Sequence, residues 1–205
     1  MEGVKLKVPD DAVRTGGRKR ITSPIELEHI AFELFAERGF ERTTIDDIAT
    51  AAGIGRRTFF RYFPSKNDLA WGSFDDELVH MHARFRASPP ELPLMDALRE
   101  VVVDFNRIPA DETLWHRRRM SLILNVPALQ AHSTLRYADW RRVVAEFAAS
   151  RLGVPANSLM PQAISHAVLG VAVAAYEQWL ADPDAELTPL LDLALRELGS
   201  GFSGA

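Results

Sequence analysis

The chain has 205 residues, of which 47% are hydrophobic and 25% charged, and this composition is that of a globular protein able to bury a core. It contains no cysteine, which excludes a disulfide framework, a thiolate zinc site and a cysteine nucleophile. The net charge of −4 argues against a uniformly basic nucleic-acid binder, so a DNA-binding function requires a local basic surface.

Residues 1–22 are predicted to be a flexible basic arm. This segment lacks the apolar stretch of a signal peptide. Over the whole chain we expect no apolar run of the ~20 residues that span a membrane. We therefore expect a cytoplasmic protein without membrane contact. The basic cluster Arg18-Lys19-Arg20 has two interpretations. In the first, Lys19 and Arg20 belong to an arm that contacts the minor groove of DNA. In the second, the arm is a solvated, disordered tail.

Four short helices are predicted between Ser23 and about residue 70, because capping residues and helix breakers alternate there. In chain order they run from the Ser23-Pro24-Ile25-Glu26 capping box to Gly39, from Thr44 to Gly53, from about Gly55 to Phe63 before Pro64, and from the Ser65-Lys66-Asn67-Asp68 cap onward. The second and third are joined by Gly53-Ile54-Gly55, the length of the turn in a helix-turn-helix. We therefore predict a DNA-binding domain of residues 23–68.

The third helix holds the basic residues that this function needs. Residues 53–67 include four basic residues and no acidic one. Arg56 and Arg57 begin the helix, where arginine can bond guanine, while Phe59 and Phe63 lie four residues apart and face the core. Phosphate contacts are expected from Thr44, Tyr62 and Lys66. A solvated basic face is the alternative, and the glycine turn with capped neighbours favours DNA binding over it.

The C-terminal half, residues 69–198, is also predicted to be helical, and residues 199–205 are predicted to be a flexible tail. Apolar residues recur at i, i+3, i+4 and i+7, as in the stripes from Trp71 to Phe85 and from Leu94 to Ile108. No alternating strand pattern bounded by turns occurs. The predicted fold class is therefore all-α, with a three-helix helix-turn-helix head and a helical ligand-binding and dimerisation domain.

The helix predicted from Pro161 to Leu180 is apolar on two faces, one of large and one of small residues. One chain is too small to cover both faces, so we expect a homodimer with a four-helix bundle shared by two chains. The interior helix of a monomer is the alternative. The predicted interface consists of Ala163, Ala167, Gly170, Ala174, Leu187, Leu191 and Leu198.

The aromatic residues of the C-terminal half suggest a ligand pocket, although each one taken singly is more often a core residue. The candidate ligand contacts are Trp71, Phe74, Leu78, Phe105, Asn106, Trp115, His116, Arg119, Ile123, Tyr137, Trp140 and Phe147. Arg117–Arg119 is either a solvated face or the landing site of an anionic group, and the working hypothesis is an apolar, acyl-type effector. Without metal-ligand spacing or a catalytic constellation, we expect no metal, no cofactor and no enzyme activity.

Residues 23–70 closely resemble the DNA-binding head of the TetR family, above all Thr44–Ala49, Gly53 and Thr58–Lys66. The resemblance implies about nine helices and a homodimer that represses a promoter at a palindromic operator until a small effector releases it. The DNA-contact candidates are then Thr44, Arg56, Arg57, Thr58, Phe60, Arg61, Tyr62 and Lys66. Phe60 stands where the family commonly has tyrosine, which puts the phosphate bond of that position in doubt.

A narrower resemblance links Arg56–Asp75, Trp115–Met120 and Tyr176–Leu180 to TetR-type regulators encoded beside the genes for mycofactocin, a peptide-derived redox cofactor. It implies control of mycofactocin-associated genes. In the mechanism we expect, a ligand between the fourth and seventh helices moves the fourth helix and changes the spacing of the two heads. The alternatives to a repressor are a helix-turn-helix activator and a small-molecule carrier without DNA affinity.

Overall fold

The computed structural model describes residues 23–203, and these residues form ten α-helices and no β-strand. The helices are α1 (Pro24–Arg38), α2 (Ile45–Ala52), α3 (Arg56–Tyr62), α4 (Lys66–Trp71), α5 (Phe74–Ala87), α6 (Leu94–Phe105), α7 (Thr113–Asn125), α8 (Pro127–Leu152), α9 (Leu159–Ala181) and α10 (Leu187–Ser200). The predicted all-α fold is confirmed. The predicted basic arm, with Lys19 and Arg20, and the last two residues of the tail lie outside the described residues.

Side-chain caps begin three of the first four helices where the sequence predicted them. Ser23 Oγ accepts the amide of the third residue of α1, and Ser65 Oγ accepts the amide of Asp68 at 3.1 Å. Thr44 and Asp47 form a reciprocal capping box at the start of α2. Each such cap stabilises its helix by ~1 kcal/mol, so short helices that are marginal alone keep fixed boundaries.

The stripe from Trp71 to Phe85 does not lie on one helix, in contrast to the prediction. α4 ends at Trp71 and α5 begins at Phe74, because Gly72 adopts φ 57° and ψ −132°, a conformation that residues with a Cβ avoid. This break gives ten helices instead of about nine. It also means that movement of α4 need not carry α5 with it.

Arg136 of α8 spans the junction between α4 and α5. Its guanidinium lies 2.8 Å from Asp68 of α4 and 2.6 Å from Asp75 of α5. The Asp68 contact is largely shielded from solvent, whereas the Asp75 carboxylate is exposed, so the first of the two ion pairs contributes more to holding the junction.

The core of the head continues into the C-terminal half. Phe59 and Phe63 of the α3 region are buried as their spacing predicted, together with Phe32 of α1 and Ile48 of α2. Leu129 near the start of α8 belongs to the same apolar cluster. The head is therefore packed against the C-terminal half, and the apolar cluster of the head continues into it.

A second core lies among α5, α6, α8, α9 and α10. The rings of Phe85 and Phe147 stack there with centroids 4.4 Å apart, and Leu78 is buried in the same cluster. The prediction that Leu78 and Phe147 contact a ligand is corrected by this packing, because Leu78 is buried in the core, Phe147 packs half-buried against it, and neither residue lines the cavity described below. An ion pair of 2.6 Å between Arg99 and Asp192 joins α6 to α10.

Among the described residues, α9 is the one helix long and apolar enough to cross a membrane, with a mean hydropathy of 1.4, so the expectation of no such run was wrong on this point. Only 33% of that apolar window is buried inside the protomer. Its large residues, such as Val168 and Trp179, pack on α8 and α10, as in a core helix. The remaining apolar surface is the small-residue face and needs another cover.

The small-residue face of α9 is exposed, as a dimer interface in a separated protomer has to be. Its members Ala163, Ala167, Gly170 and Ala174 are all exposed. Two other predicted interface residues, Leu187 and Leu191 of α10, are corrected, because both are buried in the protomer's own core. A third, Leu198, is half-buried against the second core. The exposed apolar residue of α10 is instead Leu193, with 57% of its surface accessible.

Candidate functional site

The exposed face of α3 carries the predicted basic residues. Arg56, Arg57, Phe60 and Arg61 are exposed on this helix, and its turn is set by Gly53, which ends α2 in the left-handed conformation. Thr58 and Tyr62 are half-buried at the edges of the same face. With Phe59 anchored in the core, the helix can present this face to a groove without rotating.

The three arginines of α3 differ in what they contact. Arg56 pairs with Asp46 of α2 at 3.0 Å, and Arg61 donates to the hydroxyl of Tyr62 at 3.2 Å. Arg57 has no hydrogen-bond or ion-pair partner among residues 23–203. Exposed ion pairs contribute little, so Arg56 can exchange its partner, but Arg57 is free to bind without breaking any contact.

Two of the predicted phosphate contacts are already engaged in the protein. The Thr44 hydroxyl donates to Asp47 at 2.6 Å within the capping box. The ammonium group of Lys66 donates to the carbonyl oxygens of Phe40 at 2.7 Å and Thr43 at 3.0 Å, and burial lowers the pKa of Lys66. Lys66 therefore ties the loop between α1 and α2 to α4, with one N–H left for a phosphate oxygen.

A cavity of about 510 Å³ lies below the head, and one part of its wall is α1 itself. Pro24, Ile25 and Glu28 of α1 contribute to the lining, which α4 to α9 complete with mostly apolar side chains. Its volume is within the range of small-molecule sites. Among residues 23–203, no cluster of histidine and carboxylate side chains could hold a metal ion.

Most of the side chains predicted to contact a ligand line this cavity. They are Trp71, Phe74, Phe105, Asn106, Trp115, His116, Arg119, Ile123, Tyr137 and Trp140. Their assignment as ligand contacts remains a proposal. Residues that were not predicted as ligand contacts also contribute to the lining, notably Glu28, Met120, Ala172 and Tyr176.

Three polar side chains in the cavity wall form one oriented chain of hydrogen bonds. Asn106 donates to the carbonyl of Val102 at 2.7 Å, which fixes its amide and leaves its oxygen as the acceptor for the Tyr176 hydroxyl at 2.7 Å. The Tyr176 oxygen then accepts from His116 Nε2 at 2.9 Å. His116 is thereby assigned as the neutral tautomer with its proton on Nε2.

The ring of His116 resists protonation in the folded protein. Burial, reinforced by the positive charge of Arg119, lowers the pKa of His116 to about 3 from 6.5. Because the unfolded chain binds a proton below pH 6.5 and the folded chain does not, stability falls as the pH drops through this range. The expected loss from His116 is ~1.4 kcal/mol per pH unit, or ~2 kcal/mol at pH 5.

Urea unfolding between pH 7.5 and 5 measures this loss. In His116→Gln, the amide can still donate to Tyr176 but cannot titrate, so its stability should depend less steeply on pH than that of the wild type. Other titrating groups, including Glu28, are present in both proteins. Their contributions to the pH dependence of stability cancel to first order when the two proteins are compared. Equal slopes for the two proteins would contradict the assignment of a buried, neutral His116.

Glu28 and Arg119 form an ion pair, of which only Arg119 was predicted as a site residue. Arg119 of α7 donates to the Glu28 carboxylate, and Glu28 is only 5% exposed. Burial raises the pKa of Glu28, and the charge of Arg119 opposes this effect. The available signal was position: Glu28 precedes buried Phe32 and Phe35 by four and seven residues, so the helical period places a carboxylate on the apolar face.

Comparison with known proteins adds sequence relationships to this geometry. Residues 29–70 match the family described as bacterial regulatory proteins, tetR family, and residues 92–203 match the family described as MftR C-terminal domain. A Mycobacterium tuberculosis protein assigned as mycofactocin biosynthesis transcriptional regulator MftR is 44% identical over 186 residues. These residues are 91% of this chain and 94% of that relative.

Two solved structures share the arrangement of helices at lower identity. FadR of Thermus thermophilus, a TetR-family repressor in complex with lauroyl-CoA, matches 89% of this chain and 96% of its own, with a TM-score of 0.55 and 22% identity. FadR from Bacillus subtilis in complex with stearoyl-CoA matches 87% and 99%, with a TM-score of 0.61 and 16% identity. At such identities the likeness concerns the fold.

Proposed function

The chain belongs to the TetR family of bacterial transcriptional regulators, and from that premise we propose that it is a repressor whose hold on an operator is released by a small effector. The matched families and the M. tuberculosis relative are regulators, in agreement with the prediction that the chain is not an enzyme. A regulator of this kind acts in the cytoplasm, where the chromosome is.

The observation that carries the proposal is the position of α1, which packs in the head and also lines the cavity. Phe32 in the middle of α1 is buried with Phe59, which anchors the DNA-facing helix α3, while Glu28 one turn earlier reaches the cavity wall. A ligand in the cavity therefore contacts an element of the head directly. The mechanism predicted from the sequence is a movement of α4. We propose that α1 provides a second and shorter connection between the cavity and the head.

For operator binding, two heads have to enter successive major grooves, which lie ~34–36 Å apart on one face of the duplex. The exposed small-residue face of α9 and Leu193 of α10 are the surfaces we propose for dimerisation. The DNA contacts proposed are those of the α3 face, with Arg57 foremost because it is unpaired. Lys19 and Arg20 remain proposed minor-groove contacts.

For the effector, we propose an elongated apolar molecule with an oxygen-rich polar end, of which an acyl thioester is one example. The support is the aromatic and aliphatic lining of the cavity, with Arg119 and His116 in one part of its wall. Two proteins of the same fold have been solved with lauroyl-CoA and stearoyl-CoA, and this supports the proposal of an acyl-type effector. The genes controlled are proposed to be those associated with mycofactocin, on the basis of the M. tuberculosis relative.

A gel-shift experiment with DNA from upstream of the protein's own gene tests the proposal. We expect retardation of a fragment that contains a palindrome and release by the effector. Derepression of a reporter after deletion of the gene would support repression, whereas loss of expression would identify an activator. A protein that binds acyl compounds but retards no fragment at low salt would be a carrier instead.

A further inference from the structure

The ion pair between Glu28 and Arg119 connects the head to the cavity. Glu28 lies on α1 and Arg119 lies on α7, and both side chains line the cavity. The neighbouring residue His29 stacks on Trp115 of α7, with ring centroids 4.1 Å apart. Two successive residues of α1 are thus held by α7, and the Glu28 contact is the charged and more deeply buried one.

The same ion pair lies against the junction between α4 and α5. A Cβ atom placed on Gly72 would be 2.9 Å from Arg119 Nη1 and 3.0 Å from both carboxylate oxygens of Glu28. The backbone at the junction and the two side chains are therefore in close contact. We call the backbone at Gly72, which connects α4 of the head to α5, the Gly72 joint. Any displacement of either side chain changes the space available to this joint.

Arg119 also has bonding capacity that the protein does not use. Its Nε is buried and has no hydrogen-bond partner among the described residues, and the same is true of Nε1 of Trp71. Both residues line the cavity, and both atoms are donors only. Buried donors without an acceptor are costly, so a ligand that brings acceptor oxygens to this part of the wall gains from them.

We propose that Arg119 is the switch residue of the regulator: acceptor oxygens of the effector, such as a carboxylate, bind its guanidinium in place of Glu28 and release α1 and the Gly72 joint. This inference rests on the proposed function, and it assigns the coupling between effector binding and DNA release to one ion pair. The DNA-binding arrangement is the one with the pair closed.

The release follows from the electrostatics of burial. While Arg119 is bound to Glu28, the buried carboxylate is neutralised by its partner. Once the guanidinium bonds the effector instead, Glu28 is left charged in an apolar wall, and burial already raises the pKa of this carboxyl. The carboxylate then gains by turning toward water, and this movement displaces the first turns of α1. A cationic ligand of the same shape would leave the pair closed.

Glu28→Gln tests the proposal, with Glu33→Gln as the matched control, since Glu33 is exposed on the same helix. The probes are submicellar dodecanoate and dodecyltrimethylammonium, which share the chain and differ in the charge of the head group. Amide hydrogen exchange of α1 and affinity for the upstream DNA fragment are measured for each protein with and without probe. If Glu28→Gln does not fold, Arg119→Lys, which keeps the charge but loses the planar fork, takes its place.

We expect dodecanoate to speed exchange in α1 of the wild type and to lower its DNA affinity about tenfold or more, within the usual range of allosteric coupling. Glu28→Gln should show both effects without a probe, because a neutral amide holds the Arg119 guanidinium less tightly than a carboxylate does and so leaves α1 less firmly tied to α7. Glu33→Gln should behave as the wild type. The proposal is overturned if Glu28→Gln keeps wild-type exchange and affinity, if dodecanoate changes neither, or if the cation acts as strongly. Wild-type protein that retards no DNA while its α1 still responds to dodecanoate would contradict the repressor function and leave the switch supported.

Discussion

Gly170→Arg is expected to yield a protein that folds as a protomer but does not dimerise, with operator affinity lowered by a factor of about a thousand or more. Gly170 lies on the exposed small-residue face of α9, and a Cβ placed there meets no atom within 4 Å inside the protomer. Arginine therefore fits the separated chain, and replacing glycine in a helix interior favours folding by ~1 kcal/mol. In the dimer the substitution has the opposite effect.

Two-fold symmetry gives the reason for the loss. In a symmetric interface the same patch of each chain faces its copy, so one substitution introduces two guanidinium groups into a closely packed, apolar contact. Each loses its hydration without gaining a partner, and the two repel one another. A single head then holds one half-site, and its binding approaches the non-specific range.

Sedimentation and gel-shift measurements check this expectation on the same preparations. Gly170→Ala is the matched control, because it keeps a small residue in the stripe and should remain a dimer with wild-type DNA affinity. A Gly170→Arg protein that sediments as a dimer would place the interface elsewhere on the molecule. A monomer that binds the operator as tightly as the wild type would show that dimerisation is not needed for recognition.

The head could be predicted from the sequence because local interactions define it. Ser23, Thr44 and Ser65 cap their helices through side-chain bonds that span only three residues, so the boundaries are readable without knowledge of the fold. Phe59 and Phe63 are buried because a spacing of four places them on one face. The all-α class follows from the same kind of regularity.

What the sequence could not provide are contacts between distant segments. Glu28 and Arg119 are 91 residues apart, and nothing in their neighbourhoods indicates that they pair. Leu187 and Leu191 were assigned to a dimer interface because they form an apolar stripe, but a stripe does not say whether its cover is the same chain or a second copy. Lys66 was expected at a phosphate and is bonded to two loop carbonyls, since the fold brings the carbonyls of the loop after α1 to it.

The break at Gly72 is an intermediate case. The apolar spacing from Trp71 to Phe85 continues across it, so periodicity alone predicts one helix. The glycine within this stripe was the contrary signal, and the positive φ it adopts shows why no other residue serves there. Its consequence is functional, because the joint lies against the ion pair proposed as the switch.

Arg57→Ala is expected to lower operator affinity by ~2–6 kcal/mol, or about thirtyfold to twenty-thousandfold. A bidentate arginine–guanine contact contributes ~1–3 kcal/mol of discrimination, and a dimer makes the contact twice. Because Arg57 has no partner among residues 23–203, its removal leaves no buried group unsatisfied, and the folded head should be unchanged by circular dichroism and thermal unfolding. The loss should be confined to the operator, with little change in affinity for unrelated DNA.

Arg86→Ala is the control for charge alone. Arg86 is exposed on α5, away from α3, and its substitution removes the same charge from each chain as Arg57→Ala does. Titrations at several salt concentrations separate two roles. Loss of a base contact lowers operator affinity at every salt concentration with nearly the same slope, whereas loss of a phosphate contact reduces the slope by ~1 per site and weakens all duplexes alike. If Arg57→Ala weakens operator and unrelated DNA equally, Arg57 binds the backbone, and base recognition passes to Arg56, which would first have to leave Asp46.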